Sequence, residues 1–378
     1  MSGRTVFTGR LLAIAGTVLV ALLLAGCASS DSGQSETTVE ARPPTGKLVV
    51  SLGGGKRGFR VTDLEGRTLR KIVVLRGHYL EIGGPTFTVN GDELWFLTRG
   101  GKRFWLHIHP SSGQGRGSSS PVVLDGYVGG RLLVSPDGDR MATGASSGFC
   151  RTAVILGRDG ELIQKLSPPG FVDVVPLAWS RDGSRLLYSL TRYRDSDCGK
   201  YGLGSSDLLV HRQGTRPDQL LVAARNASFT GSAWSLDGRR IALAECKNAE
   251  DWSCRLVVID ADGRARRDLG NIGIVDDEQG RLAWVWAVTT NEIVTPRLAS
   301  PSAETEIWAF NLTSGAGRRV ADLGSTHGAS ADGSRIADIN GVLDVQTGQH
   351  WPFPANVERR NQFGYRVGPA AYFLEEPK

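Results

Sequence analysis

Long amphipathic helical patterns are missing from this 378-residue chain, and acids are missing from its first thirty residues. The first absence argues against helical and mixed classes, because a helix covering a core needs apolar residues every three to four positions. With 49 glycines, the class reads as all-β. The second absence leaves Arg4 and Arg10 ahead of an almost unbroken apolar run from Leu11 to Ala25, the profile of a secretory leader. That run is short for a membrane helix, which needs ~20 apolar residues. A strong charge imbalance is lacking too: 44 basic residues face 39 acidic ones, and removing Arg4 and Arg10 leaves a net charge near +3. So mild a balance argues against a nucleic-acid partner. A Walker phosphate loop is also missing, since Gly53-Gly-Gly-Lys-Arg lacks the upstream glycine and the Ser or Thr after lysine.

What is there begins with Leu24-Ala25-Gly26-Cys27, which resembles the bacterial lipobox. The resemblance implies cleavage before Cys27 and a thioether-linked lipid on its sulfur. The plain alternative is an ordinary signal peptide with an incidental cysteine. The expected organisation is a signal peptide over 1–26, a lipidated cysteine and Ser-, Thr- and Pro-rich tether over 27–46, and a folded unit over 47–378. A random-coil tether of this length reaches roughly 25 Å. The protein is expected on the extracytoplasmic side of the cell membrane, held there by its lipid.

Taking Cys27 for the lipid leaves Cys150, Cys198, Cys246 and Cys254, an even number in an oxidising compartment. Two disulfides follow, with three connectivities open. Cys246 and Cys254 fall within one hairpin and are paired together; Cys150 and Cys198 are then paired by elimination.

A repeat decides the fold. Leu-Leu-Val-Ser-Pro-Asp-Gly-Asp-Arg-Met-Ala at 132 recurs as Leu-Ala-Trp-Ser-Arg-Asp-Gly-Ser-Arg at 177, Ser-Ala-Trp-Ser-Leu-Asp-Gly-Arg-Arg at 232 and Gly-Ala-Ser-Ala-Asp-Gly-Ser-Arg at 328. A weaker copy starts at Thr86 and a degenerate one at Trp286. Each reads as strand, tight turn, strand: Asp or Asn bonds nearby amides, and Gly takes the positive φ. A second hairpin follows each first one, with turn glycines at 66, 113, 160, 214, 263, 315 and 348. Two hairpins make a four-stranded unit, and such units repeated radially form a β-propeller. Seven second hairpins predict seven blades, although six or eight also fit. Lys-Leu-Val-Val-Ser-Leu at 47 and the segment ending Ala-Tyr-Phe-Leu at 374 are the incomplete pieces, expected to join in one blade and close the ring.

At Ser-Pro-Asp-Gly 135, Ser-Arg-Asp-Gly 180 and Ser-Leu-Asp-Gly 235 the chain resembles the TolB-like propeller repeat of bacterial envelope proteins and of propellers beside serine peptidase domains. The likeness implies fold more than function. TolB carries an α/β domain ahead of its propeller where this chain has a tether, so its partners are not carried over. No Gly-Xaa-Ser-Xaa-Gly nucleophile elbow is expected anywhere in the chain, and the length leaves no room for a hydrolase domain.

Among candidate sites, His107 and His109 alternate along a strand and face one side, where they could share a metal; without a third ligand nearby, no metal or other cofactor is expected. Asp276, Asp277 and Glu278 sit at a crossing between blades, where acids at the channel mouth could attract calcium or a basic partner; a solvated loop is the plainer account. The insertion 192–206 is the longest departure from the repeat. Its Tyr193, Arg194, Asp195, Asp197 and Tyr201 form the candidate binding loop, against the alternative of a tolerated hairpin extension. Trp179, Trp234 and Trp286 are expected to pack between blades. Lacking a paired acid and base, a metal triad or a nucleophile beside histidine, the chain reads as a non-catalytic module that binds an envelope protein, peptide or glycan. The alternative is a lyase or hydrolase with its site at the channel mouth.

Overall fold

Ser135, Asp137 and Gly138 show why the recurring motif closes a hairpin. The Ser135 hydroxyl donates to Asp137 and to the Arg140 carbonyl, and accepts from the Arg140 amide. Gly138 sits at φ +74°, and its amide bonds the Ser135 carbonyl. This is a tight turn followed by a left-handed residue, which needs no Cβ. The same hydroxyl-to-carboxylate contact recurs at Ser180–Asp182 (2.6 Å), Ser235–Asp237 (2.6 Å) and Ser330–Asp332 (2.6 Å), and as Thr88–Asn90 (2.7 Å) in the weaker copy. In the degenerate copy Thr289 takes over, its hydroxyl accepting from the Asn291 and Glu292 amides.

The computed structural model describes residues 43–374 apart from 52–57, 75–77, 81–84, 113–114, 125–126, 147–149, 167–171, 194–202, 215–216, 226, 248–252, 275–286, 290, 298–304, 324–325, 331, 339, 355–358, 361–365 and 368–370. It is a seven-bladed, all-β propeller. Blade 1 takes Gly46–Ser51, Gly58–Asp63 and Thr68–Val73 from the N-terminal side and its innermost strand, Ala371–Leu374, from the C-terminal side. Lys47 stands opposite Phe373 and Leu48 opposite Tyr372, so the two incomplete pieces of the repeat do close the ring. Blade 2 has its inner strand split into His78–Leu80 and Thr86–Phe87, followed by Glu93–Gly100, Arg103–Pro110 and Ser118–Val122. Blade 3 runs Tyr127–Val134, Arg140–Ser146, Arg151–Gly157 and Leu162–Leu166; blade 4 runs Val172–Trp179, Arg185–Tyr193, Leu203–Arg212 and Gln219–Arg225. Blade 5 is Ala227–Trp234, Arg240–Lys247, Ser253–Asp260 and Arg267–Ile274. Blade 6 is Ala287–Val288, Glu292–Arg297, Thr305–Asn311 and Gly317–Leu323; blade 7 is Thr326–Ala329, Arg335–Asp338, Gly341–Asp344 and His350–Pro352. A short hairpin, Arg359–Arg360 with Arg366–Val367, stands apart.

The core lies between blades. Among the described residues seven apolar clusters occur, one for each blade-to-blade interface, including the interface that joins blade 7 to blade 1. Middle strands feed two clusters at once. Ile241 and Leu243 face blade 4 while Ala242 and Ala244 face blade 6, and Leu48 and Val50 face blade 7 while Val49 faces blade 2. A strand buried on both faces needs a continuous apolar run, which is what these segments have.

Candidate functional site

Because each sheet is antiparallel and runs from the centre outwards, its first and third connections lie at one end and its second connection and the crossing to the next blade at the other. The first end is a face of tight turns. The second is a face of loops, to which the insertion of blade 4 and the crossing from blade 5 to blade 6 belong.

The insertion of blade 4 leaves Arg185–Tyr193 and returns at Leu203, so Tyr193 ends a strand. Arg194, Asp195, Asp197, Cys198 and Tyr201 lie outside the described residues, as do Asp276, Asp277 and Glu278, which follow Ile274 on the crossing from blade 5 to blade 6. The framework beneath them is described. At the base of the insertion Thr191 and Ser206 hydroxyls share a 2.9 Å hydrogen bond, and Arg192 pairs with Asp207. Cys246 and Cys254, opposite each other on blade 5, are joined in a disulfide at the base of their loop. Cys150, on the corresponding loop of blade 3, is also disulfide-bonded, with its partner outside the described residues. Next to it, Arg151 donates from its amide (2.8 Å) and its guanidinium to Asp173, which is 3% exposed on the innermost strand of blade 4. Blades 3, 4 and 5 thus present three adjacent loops, each with a cysteine or a polar clamp at its base.

The Arg151–Asp173 clamp escapes sequence reasoning, although its signal was present: an acid inside the apolar run Val172-Asp-Val-Val needs a cation when buried.

His107 and His109 do face one side, between blades 1 and 2. His107 Nε2 is engaged by Thr98 Oγ1 at 2.8 Å, and its ring stacks on Phe96 at 4.8 Å. The two imidazoles lie parallel at 6.3 Å. His109 Nδ1 is buried with no hydrogen-bond partner among the described residues, and burial, then the Arg70 charge, pushes its pKa down. Among the described residues no group of three or more His, Cys, Asp or Glu side chains is placed to hold a metal ion.

On the turn face the tryptophans join blades. Trp179 Nε1 donates to the Leu133 carbonyl of blade 3 at 3.0 Å while Arg140 of that blade covers its ring, and Trp234 is buried under Arg185. Trp286 lies outside the described residues. A polar cleft of about 680 Å³ opens here, lined by Ser120, Asp137, Arg140, Arg158, Glu161 and Gln213 among others. Two of its cations are already paired, Arg140 with Asp137 and Arg158 with Glu93. Inside blade 4, His211 Nδ1 meets Asp218 at 2.9 Å and Tyr188 donates to the same carboxylate at 2.7 Å; burial and that carboxylate push the phenol pKa up. With His211 only 4% exposed, this chain of polar groups holds the strand end.

One expectation needs correction. Gly144-Ala-Ser-Ser-Gly148 does have the spacing of a nucleophile elbow. An elbow requires a strand-to-helix turn. Ser146 instead ends a strand of blade 3 opposite Arg151, and no helix occurs among the described residues.

No protein-family model and no curated protein matches the sequence. Solved structures do resemble it. An oligogalacturonate lyase in complex with manganese aligns with a TM-score of 0.53 and 13% identity, over 82% of this chain and 84% of its own. The β-propeller domain of the Trilobed protease from Pyrococcus furiosus aligns with a TM-score of 0.54 and 12% identity, over 84% and 94% of the two chains. A putative TolB from Agrobacterium tumefaciens aligns over 82% of this chain and 99% of its own, with a TM-score of 0.47 and 16% identity. The chain therefore shares the seven-bladed propeller fold with solved structures of differing kinds, and a TolB identity does not follow. Folds of this kind serve both as binding scaffolds and as platforms for active sites. Among the described residues no helix is long and apolar enough to cross a membrane; residues 1–27, where the sequence suggests a leader and a lipidated cysteine, lie outside them.

Proposed function

We propose that this protein is a membrane-tethered, extracytoplasmic binding module, anchored through a lipid on Cys27, that holds an envelope protein, peptide or glycan on the loop face of blades 3, 4 and 5. The supporting observation is the concentration of cross-links there. Cys150 is disulfide-bonded, Cys246 is bonded to Cys254, and Arg151 is clamped on Asp173, all on neighbouring loops of one face. Loops held rigid before binding lose less entropy when they bind. The Tyr and Arg residues of the insertion are of the kinds that dominate interface energetics.

The test is crosslinking in living cells followed by capture of the native chain, beside a variant in which 194–202 is replaced by a short Gly-containing turn. Mass spectrometry should find one stoichiometric envelope component with the native chain and lose it with the variant. Equal capture by both would remove the insertion from the binding site. Capture of nothing above background by the native chain would sink the protein-binding reading and move the search to glycans.

A further inference from the structure

The place where the tether joins the propeller gives the molecule an orientation. Gly46–Ser51 is the second strand of blade 1, and Lys47 stands opposite Asp63, the last residue before the Asp63–Arg67 turn. Lys47 Nζ donates to the Gly91 carbonyl (2.9 Å) in the tight turn of blade 2. The chain therefore joins the propeller on the turn face, opposite the loops. This face is electrically split. The turns of blades 2 and 3 carry Asp92, Glu93, Asp137, Asp139, Asp159 and Glu161 against Arg116, Arg140 and Arg158. Those of blade 5 carry Arg239, Arg240, Arg264, Arg266 and Arg267 against Asp237, Asp260 and Asp262, with Arg266 paired to Glu245, and on the turn of blade 4 Arg181 lies exposed beside Asp182. Arg239 is also exposed, and Arg264 is 85% exposed beside Asp262.

We propose that the basic half of the turn face, on blades 4 and 5, docks against anionic lipid headgroups, so that the propeller lies with its turns on the membrane and its loops directed outward. This rests on the Cys27 anchor proposed above. A tether of the expected length has a root-mean-square reach of roughly 25 Å if it behaves as a random coil, which keeps the face bearing Gly46 near the bilayer and lets it come into contact. Once the face comes within about 10 Å of an anionic surface, roughly a Debye length, each arginine there gains about fivefold in local affinity. The acidic half is repelled by the same surface, which tilts blades 4 and 5 onto the lipid. The loop face, with the insertion of blade 4, is then free to meet a partner.

Full-length protein reconstituted in phosphatidylglycerol vesicles, and in phosphatidylcholine vesicles, is treated with an arginine-selective dicarbonyl and mapped by mass spectrometry. Modification of Arg181, Arg239 and Arg264 should slow about fivefold in the anionic vesicles only, the protection should vanish at high salt, and Arg192 on the loop face should react equally in both. An Arg181→Glu/Arg239→Glu variant with an unchanged melting temperature should lose the protection of Arg264, and Lys247→Glu on the loop face should leave it intact. Equal rates in the two lipids, or protection of Arg192 instead, would overturn the docking. The mass of the Cys27 peptide from cells reads the anchor separately: an unmodified Cys27 refutes the lipid while the vesicle result still decides the headgroup contact.

Discussion

Arg185 holds its guanidinium 4.4 Å from the ring centroid of Trp234, fastening blade 4 to blade 5. The same guanidinium lies 3.5 Å from the Gly238 carbonyl in the next turn, and one blade earlier Arg140 repeats both contacts with Trp179 and the Gly183 carbonyl. In blades 3 and 4 the arginine that follows the Asp-Gly turn is thus an inter-blade fastener. A double-mutant cycle with Arg185→Ala and Trp234→Leu should give a coupling of about 1 kcal/mol from urea unfolding. Strict additivity of the two single changes would place the arginine's contribution elsewhere.

The turn hydroxyls should matter more than their size suggests. Ser330 is 2% exposed, donates to Asp332 and accepts from the Arg335 amide, so Ser330→Ala leaves a buried amide without its acceptor. The expected loss is about 1 to 2 kcal/mol. Ser330→Thr should restore most of it, because Thr88 fills the same position in blade 2 with the same two bonds. Gly183→Ala should cost about 1 kcal/mol, since Gly183 sits at φ +70° and an added Cβ would lie 3.1 Å from Asp137. Chemical denaturation of the three variants separates these effects.

Such turns are legible in sequence because their chemistry is local: the serine, the acid and the glycine that close each one lie within a few residues. The seam was legible for another reason, as two half-repeats that only a ring could complete. Contacts between blades left weaker marks. Asp173 and Arg151 are 22 positions apart and belong to different repeats, so nothing in either repeat announces the other. Blade 2 reads poorly because its inner strand is split, and because Glu93 stands where blades 3, 4, 5 and 7 have arginine and pairs instead with Arg158 of blade 3. Blade 6 reads poorly because Thr289 closes its turn two residues sooner than Ser235 does, which erases the Asp-Gly signature. The strands of blade 4 that flank the insertion were legible in sequence; that this blade lies between blades 3 and 5 required the blade order.

Acid should weaken the fold in two separate steps. Burial, then the Arg70 charge, holds the His109 pKa below the usual value of about 6.5, so the unfolded chain binds this proton more readily than the folded one. Stability should therefore fall as pH drops below about 6.5. Asp182 and Asp237 are held below the usual carboxylate range, first by their serine hydroxyls, and contribute stability that is lost only below about pH 4. His109→Gln should flatten the upper step of a melting temperature against pH curve and leave the lower one. A curve that keeps its upper step in that variant would assign the step to another histidine.

The seam makes the strongest claim on the whole molecule. Ala371–Leu374 is the innermost strand of blade 1 and pairs with Gly46–Val49 over four positions, so the two termini of the propeller hold each other. An open ring would still have its other interfaces but would leave the inner edge of blade 1 unpaired and loosen the Leu48 and Val50 cluster against blade 7. Ending the chain after residue 370 removes this strand and none of the other described strands. Losing the four pairings and the burial they organise should cost about 4 kcal/mol or more. Because a ring opened at one joint can fray from that joint, unfolding should also broaden. Calorimetry would show a lower and wider transition in the shortened chain. A transition as sharp and as high as that of the full chain would mean that the inter-blade clusters close the ring without the seam, as an open propeller would require.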